Sequence, residues 1–285
     1  MIDTEAAREA IERIKTAVSK RIVGQELMIE SMLIGLLAGG HILIEGVPGL
    51  AKTLAAKSFS EAVNADFSRI QFTPDLLPAD LVGTLVYHQA VGEFRTRKGP
   101  VFTNILLADE INRAPAKVQS ALLESMQERQ VTLGDTTHPL PEPYMVLATQ
   151  NPIEQEGTYP LPEAQVDRFL MKVAVDYPPE AEEVEILRRM GTPRAERIAP
   201  VLDLSDIEGL KRTAEGVTAD EKILRYIVSI ARATRPSGAA TIPSGPLSGQ
   251  RAPAAGGDYI RYIDFGISPR AGVFLLRSAA ATGIL

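Results

Sequence analysis

The stretch His41-Ile42-Leu43-Ile44-Glu45-Gly46-Val47-Pro48-Gly49-Leu50-Ala51-Lys52-Thr53 decides the fold. Its first five residues are a short apolar run, the pattern of a strand buried on both faces. A Gly/Pro turn follows. Residues 53–63 then carry Leu54, Ala55, Phe59 and Ala62 at helical spacing. In a loop between strand and helix, glycines let backbone amides converge on phosphate oxygens. Gly46, Val47, Pro48, Gly49, Leu50, Ala51, Lys52, Thr53 and Leu54 are therefore candidate binding residues. Lys52 would reach the β and γ phosphates, and Thr53 would offer its hydroxyl to Mg2+. Ala51 stands where such loops usually have glycine, and its methyl is tolerable only with an ordinary negative φ.

Working outward, apolar runs predict further strands at 67–72, 101–109, 144–149 and 169–175, with a helix at 115–129. Strands alternating with helices argue for an α/β fold with a parallel sheet covered on both faces. Two helices, over 3–20 and 25–38, precede the first strand, and Gly39-Gly40 ends the second. After Asp176-Tyr177-Pro178-Pro179 only helical patterns remain, near 180–190, 205–215, 218–234 and 269–281. The expected division is thus a core of residues 1–177 and a helical unit of 178–285. Residues 235–258 hold 17 Gly, Pro, Ala or Ser and three charges, the composition of a mobile loop. Two hairpins are expected, within 72–98 (turning at Val91-Gly92) and 129–144 (turning around Gly134-Asp135).

Composition narrows the function. There is no cysteine, which excludes disulfides and thiolate chemistry. Three histidines at 41, 88 and 138 lack partners at metal-ligand spacing. The net charge of −6 argues against nucleic-acid binding. No run approaches the ~20 apolar residues of a membrane helix, and the polar N-terminus is not a signal peptide. A soluble, cytoplasmic protein is the expectation.

Four more features carry chemistry. Ile105 to Ala108 lead a buried strand into Asp109 and Glu110. Following a phosphate loop, this pair reads as the acid that holds Mg2+ through water and the base that polarises the attacking water. Asn151, in Ala148-Thr149-Gln150-Asn151-Pro152, can hydrogen-bond a γ-phosphate or that water, or can simply cap an Asn-Pro turn. Arg168 stands just before the last strand. Arg270 opens the last helix, behind Ser268 as N-cap and Pro269. A cation there opposes the helix dipole, which suggests an anionic partner.

Taken in order, these elements resemble the MoxR family of AAA+ ATPases. FTPDLLPADLVGT (72–84), GPVFTNILLADEINRAP (99–115), LLESMQERQVTLG (122–134), ATQNP (148–152), EAQVDRF (163–169) and SPRA (268–271) match family patterns, and GVPGLAKT has the family's Ala-Lys-Thr ending. The match spans roughly residues 20 to 281. It implies a P-loop AAA+ αβα sandwich with five parallel strands, a small all-helical lid, and two hairpin insertions that in a ring could face the pore or a partner. It implies ATP, ADP and Mg2+ as ligands and homo-oligomeric rings, commonly hexamers, with ATP at subunit junctions. By the same resemblance Asn151 is sensor 1 and Arg168 an arginine finger acting on a neighbour's ATP. Arg270 becomes sensor 2, reaching the γ-phosphate from the lid, and Val23 and Gly24 line the adenine pocket. The chain ends soon after Arg270, which reads as a shortened lid. Family members typically work as chaperone-like partners of von Willebrand factor A proteins, activating client enzymes or inserting their metal cofactors. Two readings stay open: an ATP-hydrolysing switch, and a nucleotide-gated binding module with little turnover.

Overall fold

The computed structural model describes residues 3–90, 92–153, 157–190, 198–235, 263 and 266–285. The expected loop 235–258 lies, apart from Arg235, outside the described residues, as does Val91 of the first hairpin turn.

Two helices lead the chain. Helix α1 (Thr4–Ser19) is capped by the carboxylate of Asp3, which accepts from Thr4 N at 2.9 Å. Helix α2 (Glu26–Ala38) is apolar on most of its surface, as its burial requires. It ends where Gly39 takes φ 65° and Gly40 N donates to Gly35 O, a left-handed stop that glycine makes without steric cost. The predicted alternation then follows: β1 (Ile42–Glu45), α3 (Lys52–Ala62), β2 (Phe67–Gln71), β5 (Ile105–Asp109), α5 (Ala116–Glu128), β8 (Met145–Gln150) and β9 (Met171–Ala174). These five strands are parallel and lie in the order β2-β5-β8-β1-β9. Between them fall two short helices the periodicity did not foretell, α4 (Pro78–Val82) and α6 (Glu163–Val166).

The two expected hairpins are separate two-stranded sheets. Strands β3 (Gly83–His88) and β4 (Glu93–Lys98) form one; β6 (Gln130–Leu133) and β7 (Thr136–Pro139) form the other. Leu85 of the first sits so close to Gly134 in the second that a Cβ there would lie 2.5 Å from Leu85 Cδ1.

Alternate side chains of the central strands feed two apolar layers, because neighbouring residues in a strand point to opposite faces. Ile42, Ile44, Leu107, Leu147 and Val173 join the layer made with α1, α2 and α3. Leu43, Leu106, Ala108, Val146 and Ala148 join the layer under α5 and the hairpins. Helices α7 (Glu180–Met190), α8 (Leu204–Glu215), α9 (Glu221–Ala233) and α10 (Pro269–Thr282) follow the double proline. Strands therefore give way to helices where composition placed the boundary. Packing crosses it, however. Ile207, Leu210, Ala214, Ala281 and Ile284 belong to the same buried cluster as Ile11, Met32 and Phe59, and each of the leucine and isoleucine side chains contributes roughly 1.5–3 kcal/mol.

His41 ties three elements together. Its Nδ1 accepts from Val146 N at 3.0 Å, and its Nε2 lies 3.2 Å from Met126 O. That pattern requires the neutral ring with the proton on Nε2. Burial drives its pKa from 6.5 down to about 4, against the pull of Met126 O and with a small push from Arg129. The unfolded chain therefore takes up this proton first as pH falls. The stabilisation is complete above pH 6.5 and is lost toward pH 4. Urea melts should show about 2 kcal/mol lost between pH 7.5 and 5, with a flatter profile in His41→Asn.

Candidate functional site

The phosphate loop leaves β1 at Gly46, whose N–H donates to Gln150 O of β8 at 3.2 Å. Gly49 takes φ 88° with nothing within 4 Å of where a Cβ would sit, so the loop opens a bare backbone surface toward solvent. Ala51 corrects a sequence expectation. It is left-handed, φ 54° and ψ 18°, and its carbonyl starts α3 by accepting from Ala55 N at 2.8 Å. The loop needs that turn to bring the first amides of α3 round, and Ala51 meets it at a strain of roughly 1–2 kcal/mol.

Lys52 is half-buried and its Nζ donates to Gly46 O at 2.5 Å. Burial lowers its pKa, and the charges of Asp109 and Glu110 partly offset that. Thr53 follows in the first turn of α3. Register places the acids opposite: Ile44 pairs with Thr149, and Ala108 with Ala148. Asp109 thus stands two strands from β1, roughly 10 Å away. That gap suits a hydrated Mg2+ between Thr53 and Asp109.

Thr149 organises the two acids. Its hydroxyl donates to Asp109 Oδ1 at 2.6 Å and accepts from Glu110 N at 2.8 Å. Glu110 is held at φ 57°, strain of the kind that collects at functional sites. Its Oε2 is buried and lacks a hydrogen bond, although Arg113 Nε lies 3.2 Å away as an ion-pair partner. Asp109 Oδ2 accepts from Arg69 Nε at 3.1 Å and Nη2 at 2.8 Å. Asn151 is buried, and its Oδ1 accepts from Ile153 N at 3.1 Å. The turn cap read from sequence is therefore present, and the side-chain NH2 is the group left to donate to a phosphate or water.

Beside the loop lies a cavity of about 100 Å³ lined by Val23, Leu50, Ala51, Leu54, Pro178 and Ile186 among others. Its apolar walls suit a flat base. Gly24 is not part of that lining. It presses on α7, where an added Cβ would overlap Glu182 Oε2.

Arg168 and Arg270 lie elsewhere. With Arg129, Arg277, Gly40 and His41 they line a cavity of about 210 Å³ at the opening end of β1. Five residues of strand separate that end from Gly46, roughly 17 Å. Arg168 Nη1 donates to Leu123 O at 3.1 Å. Arg270 has the anionic partner its helix position suggested: Asp167 Oδ2 at 3.8 Å, while Ser268 Oγ donates to Asp167 Oδ1 at 2.7 Å. So the structure brings Lys52, Thr53, Asp109, Glu110 and Asn151 to one end of the sheet, and Arg168 and Arg270 to the other.

Sequence reasoning assigned no role to Arg69, Arg113, Thr149, Arg129 or Arg277. Thr149 was within reach, since it stands beside Asn151 at a strand tip. The arginines carried no local signal.

These are the marks of an AAA-type P-loop protein. Residues 41–171 match the model of the ATPase family associated with various cellular activities (AAA). Chaperone MoxR1 of Mycobacterium tuberculosis is 48% identical over 277 residues, covering 96% of this chain and 69% of that protein. Protein MoxR of Methylorubrum extorquens is 31% identical over 95% of this chain and 79% of its own. A crystal structure of a candidate ATPase from Cytophaga hutchinsonii superposes with a TM-score of 0.85 at 45% identity, covering 99% of this chain and 81% of that one. The chain belongs to the MoxR family of AAA+ ATPases.

Ala51→Gly should relieve the left-handed strain and raise unfolding free energy by up to about 1 kcal/mol. Equal or lower stability in urea would show that the loop holds alanine there without cost.

Proposed function

We propose that the protein is a Mg2+-dependent ATP hydrolase whose catalytic site is shared between two copies of the chain in a ring. One observation carries this reading. The phosphate loop and acids sit at one end of the parallel sheet, and the candidate γ-phosphate arginines sit at the other. Arg168 and Arg270 therefore cannot serve the nucleotide bound by their own chain without a movement of roughly 17 Å. Set against a neighbour's phosphate loop, both reach it.

The residues present fit the ligands. The bare backbone at Gly49 accepts phosphate, and Lys52 can exchange its contact with Gly46 O for phosphate oxygens. Thr53 and Asp109 are the residues that would hold Mg2+, which supplies positive charge to the leaving phosphates. Val23 and Leu54 flank the base. Glu110 takes the proton of the attacking water, and its buried, unbonded Oε2 is the atom suited to that work. Asn151 donates through its amide to the γ-phosphate or the water. Arg168 and Arg270 of the adjoining copy neutralise charge developing there, an effect worth ~10³–10⁵ in related transfers.

The biological reading is coarser. A chaperone-like role follows from the family and from the name of the mycobacterial relative. We place a hexameric ring, a von Willebrand factor A partner, a client enzyme that receives activation or metal, and a cytoplasmic setting within the same proposal. The hairpins then offer the exposed Tyr87–Phe94 pair, ring centroids 5.1 Å apart, to the pore or partner. Among the described residues no helix is long and apolar enough to cross a membrane.

Two measurements test the proposal. Glu110→Gln should keep nucleotide affinity and lower turnover ~10²–10⁴-fold; unimpaired turnover would remove Glu110 as base. Normal affinity without turnover in the unaltered protein, at any concentration, would favour the nucleotide-gated module. Separately, Lys52→Ala and Arg168→Ala chains, each inactive alone, should regain activity when mixed, because mixed junctions pair an intact loop with an intact arginine. A mixture as inactive as its parts would show that Arg168 serves its own chain.

A further inference from the structure

Asp109 is held by side chains of its own chain. Its side chain is only 13% exposed, and a carboxylate offers about four lone-pair sites. Three donors take three of them: the Thr149 hydroxyl on Oδ1, and both Nε and Nη2 of Arg69 on Oδ2. Arg69 is not there by accident of a flexible side chain. It projects from β2, the edge strand that pairs with β5, and Gln71, directly opposite Asp109 in that register, accepts from Arg69 Nη2 at 2.8 Å. The guanidinium is thus held between Gln71 Oε1 and Asp109 Oδ2.

We propose that Arg69 is the resting counter-charge of the metal-binding acid. In the absence of nucleotide it holds Asp109 in place of Mg2+, and it must release Oδ2 when metal and nucleotide enter. Arg69 acts through Asp109 and is a positioning residue. Two consequences follow from its charge. The acid is not left uncompensated, and metal binding is weakened by the work of displacing two charge-assisted hydrogen bonds from Oδ2 and by repulsion between two cations. The nucleotide's own negative charge offsets that repulsion, so the site is built to take Mg2+ together with phosphates in preference to Mg2+ alone. Arg69 is 47% exposed, which gives it room to swing away and keeps the effect modest.

This inference rests on the reading of Asp109 as the metal-holding acid. The test is the Mg2+ dependence of binding of a fluorescent, non-hydrolysable ATP analogue, from EDTA to saturating MgCl2, with the full chain. In Arg69→Gln the half-saturating Mg2+ concentration should fall roughly threefold to tenfold, while affinity in EDTA does not improve. Arg69→Lys, which keeps the charge but cannot fork onto Oδ2, should fall between the two. A purely structural role would lower melting temperature without moving the Mg2+ midpoint. An unchanged or higher Mg2+ requirement in both variants would overturn the proposal. If Arg69→Gln does not fold, the lysine variant decides alone. If binding by the unaltered protein ignores Mg2+, the assignment of Asp109 itself fails, and the inference falls with it.

Discussion

A parallel strand buried on both faces must deliver its two ends to opposite sides of the molecule, and the chemistry here depends on that constraint. Strand β1 lies between β8 and β9, and Ile42, Leu43 and Ile44 are almost wholly buried. It can therefore neither slide nor turn. Whatever follows Glu45 appears at one end of the sheet and whatever precedes Ile42 at the other. The phosphate loop is fixed at the first end, as ligands in open α/β sheets generally are. The arginine cavity is fixed at the second, beside Gly40 and His41. The two groups of residues are thus kept apart within one chain, which is the separation that the proposed shared site rests on.

Helix α10 reinforces this separation. It packs on α2 and α8, and Ala281 in its last turn and Ile284 just beyond it join the buried cluster. Its first turn is pinned to Asp167 through Ser268 and Arg270. Arg168 is the next residue along. Any shift of α10 would thus be felt at Arg168 within one peptide unit, and any anion drawn to Arg168 would compete with Asp167 for Arg270. Asp167 holds Arg270 and Ser268, while its neighbour Arg168 is held by the Leu123 carbonyl.

Much of this was legible in the sequence where the signal is local. The strand-glycine-helix run, the apolar strand ending in Asp109-Glu110, and Ser268-Pro269 at a helix start are each written within a dozen residues. Their elements emerged within a few residues of the periodicity that predicted them. Ala51 misled because composition cannot show φ. An alanine is expected to be tolerable there only with an ordinary negative φ, whereas the loop holds Ala51 left-handed at φ 54°. The places of Arg69 and Thr149 were illegible for a different reason. Each meets Asp109 across 40 residues of chain, through a strand order, β2-β5-β8, that a hydrophobic pattern does not contain. The same holds for Arg129, at the C-terminal end of α5, and Arg277, in the body of α10, which meet Arg168 at one cavity.

The two ends of the sheet carry opposite electrostatic problems, and the fold treats them alike. At the phosphate end the acids come first, and each has an arginine within ion-pair distance: Arg69 on Asp109, Arg113 on Glu110. At the other end the arginines come first, and carbonyls of Leu123 and Gly39 with the carboxylate of Asp167 occupy three of them. Each end thus has its charges answered within one chain. Like charges held close without such partners would repel and loosen the loops that carry them. Such partners let a single chain fold with its charges answered at both ends of the sheet.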